Sequence, residues 1–216
     1  ILTPYHHPTY RRQELPAPGF YDAVHRLCRQ EGALFVMDDI RANFRLDPRG
    51  SHVHFGAKPD LWCMGKALAN GYPISVLLGR GELMKTAASL FITGTYWMSA
   101  APMVAAMATL DETARLGGTA RLVTLGTLLK DGLEAAGRAA AYGARISGPA
   151  AIPLLTFDED PNLYLNQRFG AAMARRGVFL HPHHNWFLSL AHTEAEIALT
   201  VERAADAFAA MRLGKE

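Results

Sequence analysis

Two short apolar runs, each closed by a residue of opposite charge, constrain this chain more than anything else in it. Ala33-Leu34-Phe35-Val36-Met37 follows Gly32 and stops at Asp38-Asp39, and Leu61-Trp62-Cys63-Met64 follows Pro59-Asp60 and stops at Gly65-Lys66. Unbroken apolar character over such a length, without polar alternation, fits a strand covered on both faces of a parallel sheet. Ile74 to Leu78 repeats the pattern. Before the first run, Phe20 to Gln30 carries apolar residues at Phe20, Val24, Leu27 and Cys28 after Pro18-Gly19, with Gly32 beyond, which predicts a helix with a glycine stop. Alternating helices and strands of this kind predict an α/β layer, whose ligands bind beyond the carboxyl ends of the strands. Asp38 and Lys66 both fall at such ends.

Further along, Pro102 can open a helix whose apolar side is Met103, Val104, Met107 and Leu110 and which Gly117-Gly118 interrupts. A domain boundary is expected there, giving residues 1–116 and 117–216. In the second part, Leu122 to Ala136 and Tyr164 to Arg175 read as helices and Ile152 to Phe157 as a strand. Thr193 and Glu196 form a capping box ahead of Ile197, Val201, Ala204 and Phe208. This half reads as a small α+β domain. The opening Ile1-Leu2-Thr3-Pro4 reads as the end of a strand, and a preceding part of the protein is expected.

With 22 basic and 20 acidic side chains interspersed, the chain has no charged face that asks for nucleic acid or a membrane surface. It also has no apolar run of membrane-spanning length. Cys28 and Cys63 are too few and too embedded in apolar sequence for a disulfide framework, and inert thiols in a cytoplasmic enzyme are the expectation.

The chemistry sits in the two charged strand ends. A lysine amine among apolar neighbours, here Met64, Ala67 and Leu68, can supply the neutral form that attacks an aldehyde. Gly65 would let a flat ring approach. A pyridine ring becomes an electron sink while its nitrogen stays protonated, and a fixed carboxylate such as Asp38 keeps it so. Lysine and carboxylate together point to a pyridoxal phosphate (PLP) site. Read singly, Lys66 is a solvated surface lysine and Asp38 a cap or salt-bridge partner.

The segments Phe35-Val36-Met37-Asp38-Asp39-Ile40, Asn43-Phe44-Arg45, Pro59-Asp60-Leu61 and Gly65-Lys66 through Pro73 resemble the signature of class III aminotransferases. Gly177-Val178-Phe179-Leu180 leading to Phe187-Leu188-Ser189-Leu190-Ala191-His192-Thr193 resembles the glutamate-1-semialdehyde aminomutase branch. The resemblance implies the second half of a fold type I large domain, a mostly parallel sheet with flanking helices, followed by a small α+β C-terminal domain. It implies that Lys66 forms the internal aldimine, Asp38 pairs with the pyridine nitrogen, and Ile40 packs on one ring face. It further implies that Thr95, in Gly94-Thr95-Tyr96, reaches the cofactor phosphate of a neighbouring subunit, hence a homodimer with a shared site. The activity implied is a PLP-dependent aminotransferase or aminomutase acting on an amino acid or amino-aldehyde. Three departures set its substrate apart from glutamate semialdehyde: Thr3-Pro4 in place of Glu-Pro, Asn43 in place of glycine, and a short His181-Pro182-His183-His184-Asn185 segment without the aminomutase glutamate. Because the preceding half of the large domain carries the rest of the site, these 216 residues alone are expected to be inactive.

Other features have plainer readings. His181, His183 and His184, with His6, His7, His52 and His54, lack acidic or cysteine partners at ligand spacing, so no metal is expected. Tyr96, Trp97, Trp186 and Phe187 line a substrate pocket or, for at least half of them, pack in a core. Arg41 and Arg45 could bind a substrate carboxylate, but read first as ion-pair partners of Asp39 or Asp47. The rival to the enzyme reading is a non-catalytic domain that kept this fold for ligand sensing or partner contact, but such a domain need not retain both Lys66 and Asp38.

Overall fold

The computed structural model describes residues 1–8 and 10–214, which fall into two units. One comprises Ile1–Pro4 and Pro16–Thr119, the other Tyr5–Leu15 and Ala120 onward.

The first unit is built on a three-stranded sheet of β1 (Val36–Asp38), β2 (Leu61–Met64) and β3 (Val76–Gly79), in the order β1-β2-β3. β1 and β2 run parallel with Asp38 opposite Cys63, and Leu2 bridges Met37 in parallel on the free side of β1. β3 departs from the expected parallel direction and runs antiparallel to β2, with Met64 opposite Val76. An apolar run reports burial but not direction; here the chain returns from Lys66 through a short connection, which suits an antiparallel neighbour.

Helix α1 (Phe20–Gln30) starts after Gly19 at φ 78° and ends before Gly32 at φ 62°, as the glycines predict. Its buried side is Tyr21 with Val24 and Cys28, packed on Phe35, Met37 and Ala57, while Phe20 and Leu27 face outward. The Tyr21 hydroxyl donates to the Pro4 carbonyl at 2.5 Å. A second cluster joins Leu68, Ala69 and Ala106 to Phe44, Ile74, Val76 and Ala105. The short helix α2 (Ser51–His54) and α3 (Gly81–Ala88) complete this part. In α4 (Ala100–Arg115) the buried residues are Pro102 and Ala106, whereas Met103, Val104, Met107 and Leu110 are exposed. That overturns the expected apolar side: the small residues, not the large ones, meet the rest of this unit.

The second unit packs α5 (Gly118–Ala139), α6 (Tyr164–Arg175) and α7 (Glu194–Arg212) with an antiparallel pair, β4 (Ala144–Ser147) and β5 (Leu154–Phe157). Leu125, Leu129 and Leu133, recurring at helical spacing on α5, are buried, as are all four residues of β5. Phe169 and Phe208 stack at 4.5 Å between ring centroids, with Phe157 edge-on to both. The capping box forms as read: the Thr193 hydroxyl accepts from the Glu196 amide at 3.2 Å, and the Glu196 carboxylate accepts from the Thr193 amide at 2.8 Å. Among the described residues, no helix is long and apolar enough to cross a membrane.

Candidate functional site

Parallel pairing of β1 with β2 brings both charged strand ends to one edge of the first unit's sheet. Asp38 is the last residue of β1, and the next amide, that of Asp39, donates to the Cys63 carbonyl at 3.0 Å. Asp38 is half-buried, and its Oδ1 accepts from the Ile40 amide at 3.2 Å, which fixes the carboxylate just beyond the strand. Ile40, also half-buried, sets its Cγ2 3.6 Å from the place a Cβ on Gly65 would occupy. Carboxylate, isoleucine and the Gly65-Lys66 segment are therefore neighbours.

Lys66 opens a 3₁₀ turn (Lys66–Leu68) with φ of 44°, a left-handed conformation that costs a non-glycine residue on the order of 1–3 kcal/mol. Contrary to the apolar surroundings expected for it, Lys66 is exposed in this chain. Met64 and Leu68, on either side of it in sequence, are buried. Gly65 itself is extended, and a Cβ there would meet only ordinary contacts, so its backbone does not demand glycine.

Beneath this edge lies a buried carboxylate that the sequence offered only as an ion-pair partner. Asp39 is fully buried, and its carboxylate accepts from the Ser51 hydroxyl at 2.5 Å and the Ser51 amide at 2.8 Å. Burial pushes its pKa up to about 6, against the two Ser51 hydrogen bonds, with a smaller upward push from Asp38. Gly50 makes this delivery possible: it sits at φ 113°, and a Cβ there would come within 2.8 Å of the His52 ring and 2.9 Å of Met64. Asp39 is thus held by Ser51, Asp47 pairs with Arg49 at 3.0 Å, and Arg45 donates to the Arg41 carbonyl at 2.7 Å. Cys63 is half-buried, and burial, followed by the Asp38 charge, raises its thiol pKa.

Asn43 is the second residue whose role was not legible. It is fully buried, and its Nδ2 donates to the carbonyls of Asp39 at 2.6 Å, Ile40 at 2.9 Å and Gly65 at 3.3 Å.

Thr95 stands in an exposed turn between α3 and α4 in the same unit, where the Trp97 amide donates to the Gly94 carbonyl at 3.1 Å. No described hydrogen bond links Thr95 to Asp38 or Lys66. Tyr96 and Trp97 are exposed, so neither packs in a core. Trp186 and Phe187 are half-buried and line a cavity of about 640 Å³ in the second unit, together with His181, His184 and Arg203. His184 Nδ1 lies 2.7 Å from the Asn185 carbonyl, and the Trp186 indole donates to the His181 carbonyl at 2.9 Å. Among the described residues, no group of three or more histidine, cysteine or acidic side chains could hold a metal ion.

A half-buried carboxylate thus ends one parallel strand, an exposed amine stands just past the neighbouring strand, and an isoleucine lies beside the intervening Gly65. The sequence profile of the aminotransferase class-III family matches residues 13–211, and the chain belongs to that family. It is 39% identical over 211 residues to an aminopentol aminotransferase of Sphingopyxis macrogoltabida, covering 98% of this chain and 50% of the relative. It is 34% identical over 214 residues to the glutamate-1-semialdehyde 2,1-aminomutase of Thermomicrobium roseum, covering 92% of this chain and 50% of the relative. Among solved structures, the PLP internal aldimine form of the Sphingopyxis sp. MTA144 FumI protein superposes with a TM-score of 0.94 at 39% identity, over 98% of this chain and 51% of that one. The chain spans about half the length of the curated relatives it matches.

Proposed function

We propose that this chain is the lysine-bearing half of a PLP-dependent aminotransferase or aminomutase that acts on an amino acid or amino-aldehyde. The observation that carries this reading is the meeting of Asp38, Ile40 and Gly65-Lys66 at one edge of the parallel pair. In this reading residues 1–116 are the later part of the cofactor-binding large domain and residues 117–216 the small C-terminal domain. The residues fit the cofactor chemically: an anchored carboxylate for a ring nitrogen, a branched apolar side chain for a ring face, and a primary amine for an aldehyde.

Pyridoxal phosphate, when bound, supplies an electron sink that stabilises negative charge at a substrate carbon. Asp38, held by the Ile40 amide, keeps a proton on the cofactor's ring nitrogen. Ile40 excludes water from one face of the ring. Lys66 Nζ would hold the cofactor's aldehyde and, when free, would be the base that takes up and returns a proton. Thr95, on its exposed turn, reaches the phosphate held by a second copy, so the working unit is a homodimer in the cytoplasm. The exposure of Lys66 supports a site completed outside these residues and a fragment that is inactive by itself.

The name of the Sphingopyxis relative, together with the missing aminomutase glutamate at residues 181–185, supports a hydroxylated amine over glutamate semialdehyde. The test is spectroscopic. Full-length protein with PLP should absorb near the visible edge, Lys66→Ala should lose the borohydride-reducible adduct, and Asp38→Ala should lose turnover with every amine donor screened. A Lys66→Ala protein that keeps the adduct removes Lys66 from the mechanism.

A further inference from the structure

The geometry points to Asn43 as the positioning residue that braces the Asp38 loop against the Lys66 backbone. The inference rests on the reading of Lys66 and Asp38 as the cofactor's amine and carboxylate, and goes beyond it by naming what holds the two in register.

Three observations meet at this side chain. Its two Nδ2 hydrogens are shared among three carbonyls, those of Asp39 at 2.6 Å and Ile40 at 2.9 Å, the two residues that follow Asp38, and across at 3.3 Å that of Gly65, the residue that precedes Lys66. The Gly65 carbonyl also accepts the Leu68 amide at 3.0 Å, so two donors fix the plane of the Gly65–Lys66 peptide. The turn closed by the Leu68 bond contains Lys66, whose φ of 44° is a left-handed value that a lysine adopts only under constraint. The amide cannot be turned over, because its oxygen would then face three carbonyl oxygens. In the orientation it has, Oδ1 is buried without a partner among the described residues, so Asn43 carries an unmet polar atom in order to make its three contacts. Packing alone would be served better by an apolar residue.

Without the brace the carboxylate loop and the lysine turn move independently. The Lys66 amine then samples a wider range of directions relative to Asp38, and cofactor capture and the proton balance around it change before the fold does.

The experiment uses full-length protein carrying Asn43→Ala or Asn43→Gly, with Val24→Ala as a control that weakens the same unit's core away from the site. For Asn43→Ala and Asn43→Gly, the PLP dissociation constant should rise about tenfold, the loss expected when a buried hydrogen-bonding side chain is removed. The pH midpoint of the visible absorption band should shift, and in the apo protein exchange of the Leu68 amide should quicken about tenfold. Asn43→Ser, which keeps one donor, should recover part of each effect. Val24→Ala should change the melting temperature but none of these readouts. Asn43 variants with wild-type dissociation constant, pH midpoint and Leu68 exchange overturn the inference. Lys66→Ala that retains borohydride-fixed PLP overturns the underlying reading instead, so the two failures are distinguishable.

Discussion

Replacing Asp39 with asparagine should reverse a pH-dependent penalty that the wild-type fold carries beneath its charged edge. The Asp39 carboxyl is raised from 3.8 to about 6 by burial, so the folded state holds its proton more tightly than the unfolded chain does. Between those two values the folded form binds more protons, and stability falls as pH rises through that window. The shift of about two units corresponds to roughly 3 kcal/mol at about 1.4 kcal/mol per unit, fully developed above pH 6 and absent below pH 4. Asparagine keeps the shape and one acceptor for the Ser51 amide, and the Ser51 hydroxyl can rotate to accept from its nitrogen. Burial pushes the pKa of nearby His52 down, which gives the opposite slope near neutral pH, but that contribution is common to both proteins and cancels in their difference. The assay is urea unfolding of full-length apo protein, wild type and Asp39→Asn, followed by tryptophan fluorescence at intervals from pH 4 to 7.5. The stability difference should move in favour of the variant by roughly 3 kcal/mol across that range. A difference that stays constant with pH would refute the buried, raised carboxyl.

Other outcomes follow from single contacts. Gly50→Ala should cost at least about 1 kcal/mol in unfolding experiments, because its φ is left-handed and its Cβ would strike His52 and Met64. Phe208→Ala should cost about 3–5 kcal/mol by the same measurement, since it removes the ring stacked on Phe169 and leaves a cavity. Thr193→Ala should lower stability by about 0.5–2 kcal/mol through loss of the cap on α7, and a wild-type melting temperature would show that the cap contributes nothing.

What the sequence disclosed, and what it hid, divides along physical lines. The limits of α6 and the cap of α7 were legible because period and capping are local: Tyr164 to Arg175 and Thr193 with Glu196 stand as read. The strand Leu61–Met64 was legible for the same reason, and the signature around Asp38 and Lys66 gave the family. The direction of β3 was not, because apolar content is blind to strand sense. The outward face of α4 misled because Met103 and Met107 have the periodicity of a core stripe without a partner in their unit. The left-handed backbone of Lys66 was not legible either, because periodicity does not report angles. Asn43 was visible only as a departure from a pattern; its three carbonyl partners include one that is 22 residues away in sequence, and only the fold brings them together.

The central claim is that the amine past β2 captures the cofactor opposite the carboxylate past β1. Borohydride reduction of the PLP-loaded full-length protein, followed by digestion and peptide mapping, tests it directly. The account predicts the pyridoxyl group on Lys66, and on Lys66 alone among the lysines of this chain. A pyridoxyl group on Lys58, Lys85, Lys130 or Lys215 with Lys66 unmodified would contradict it.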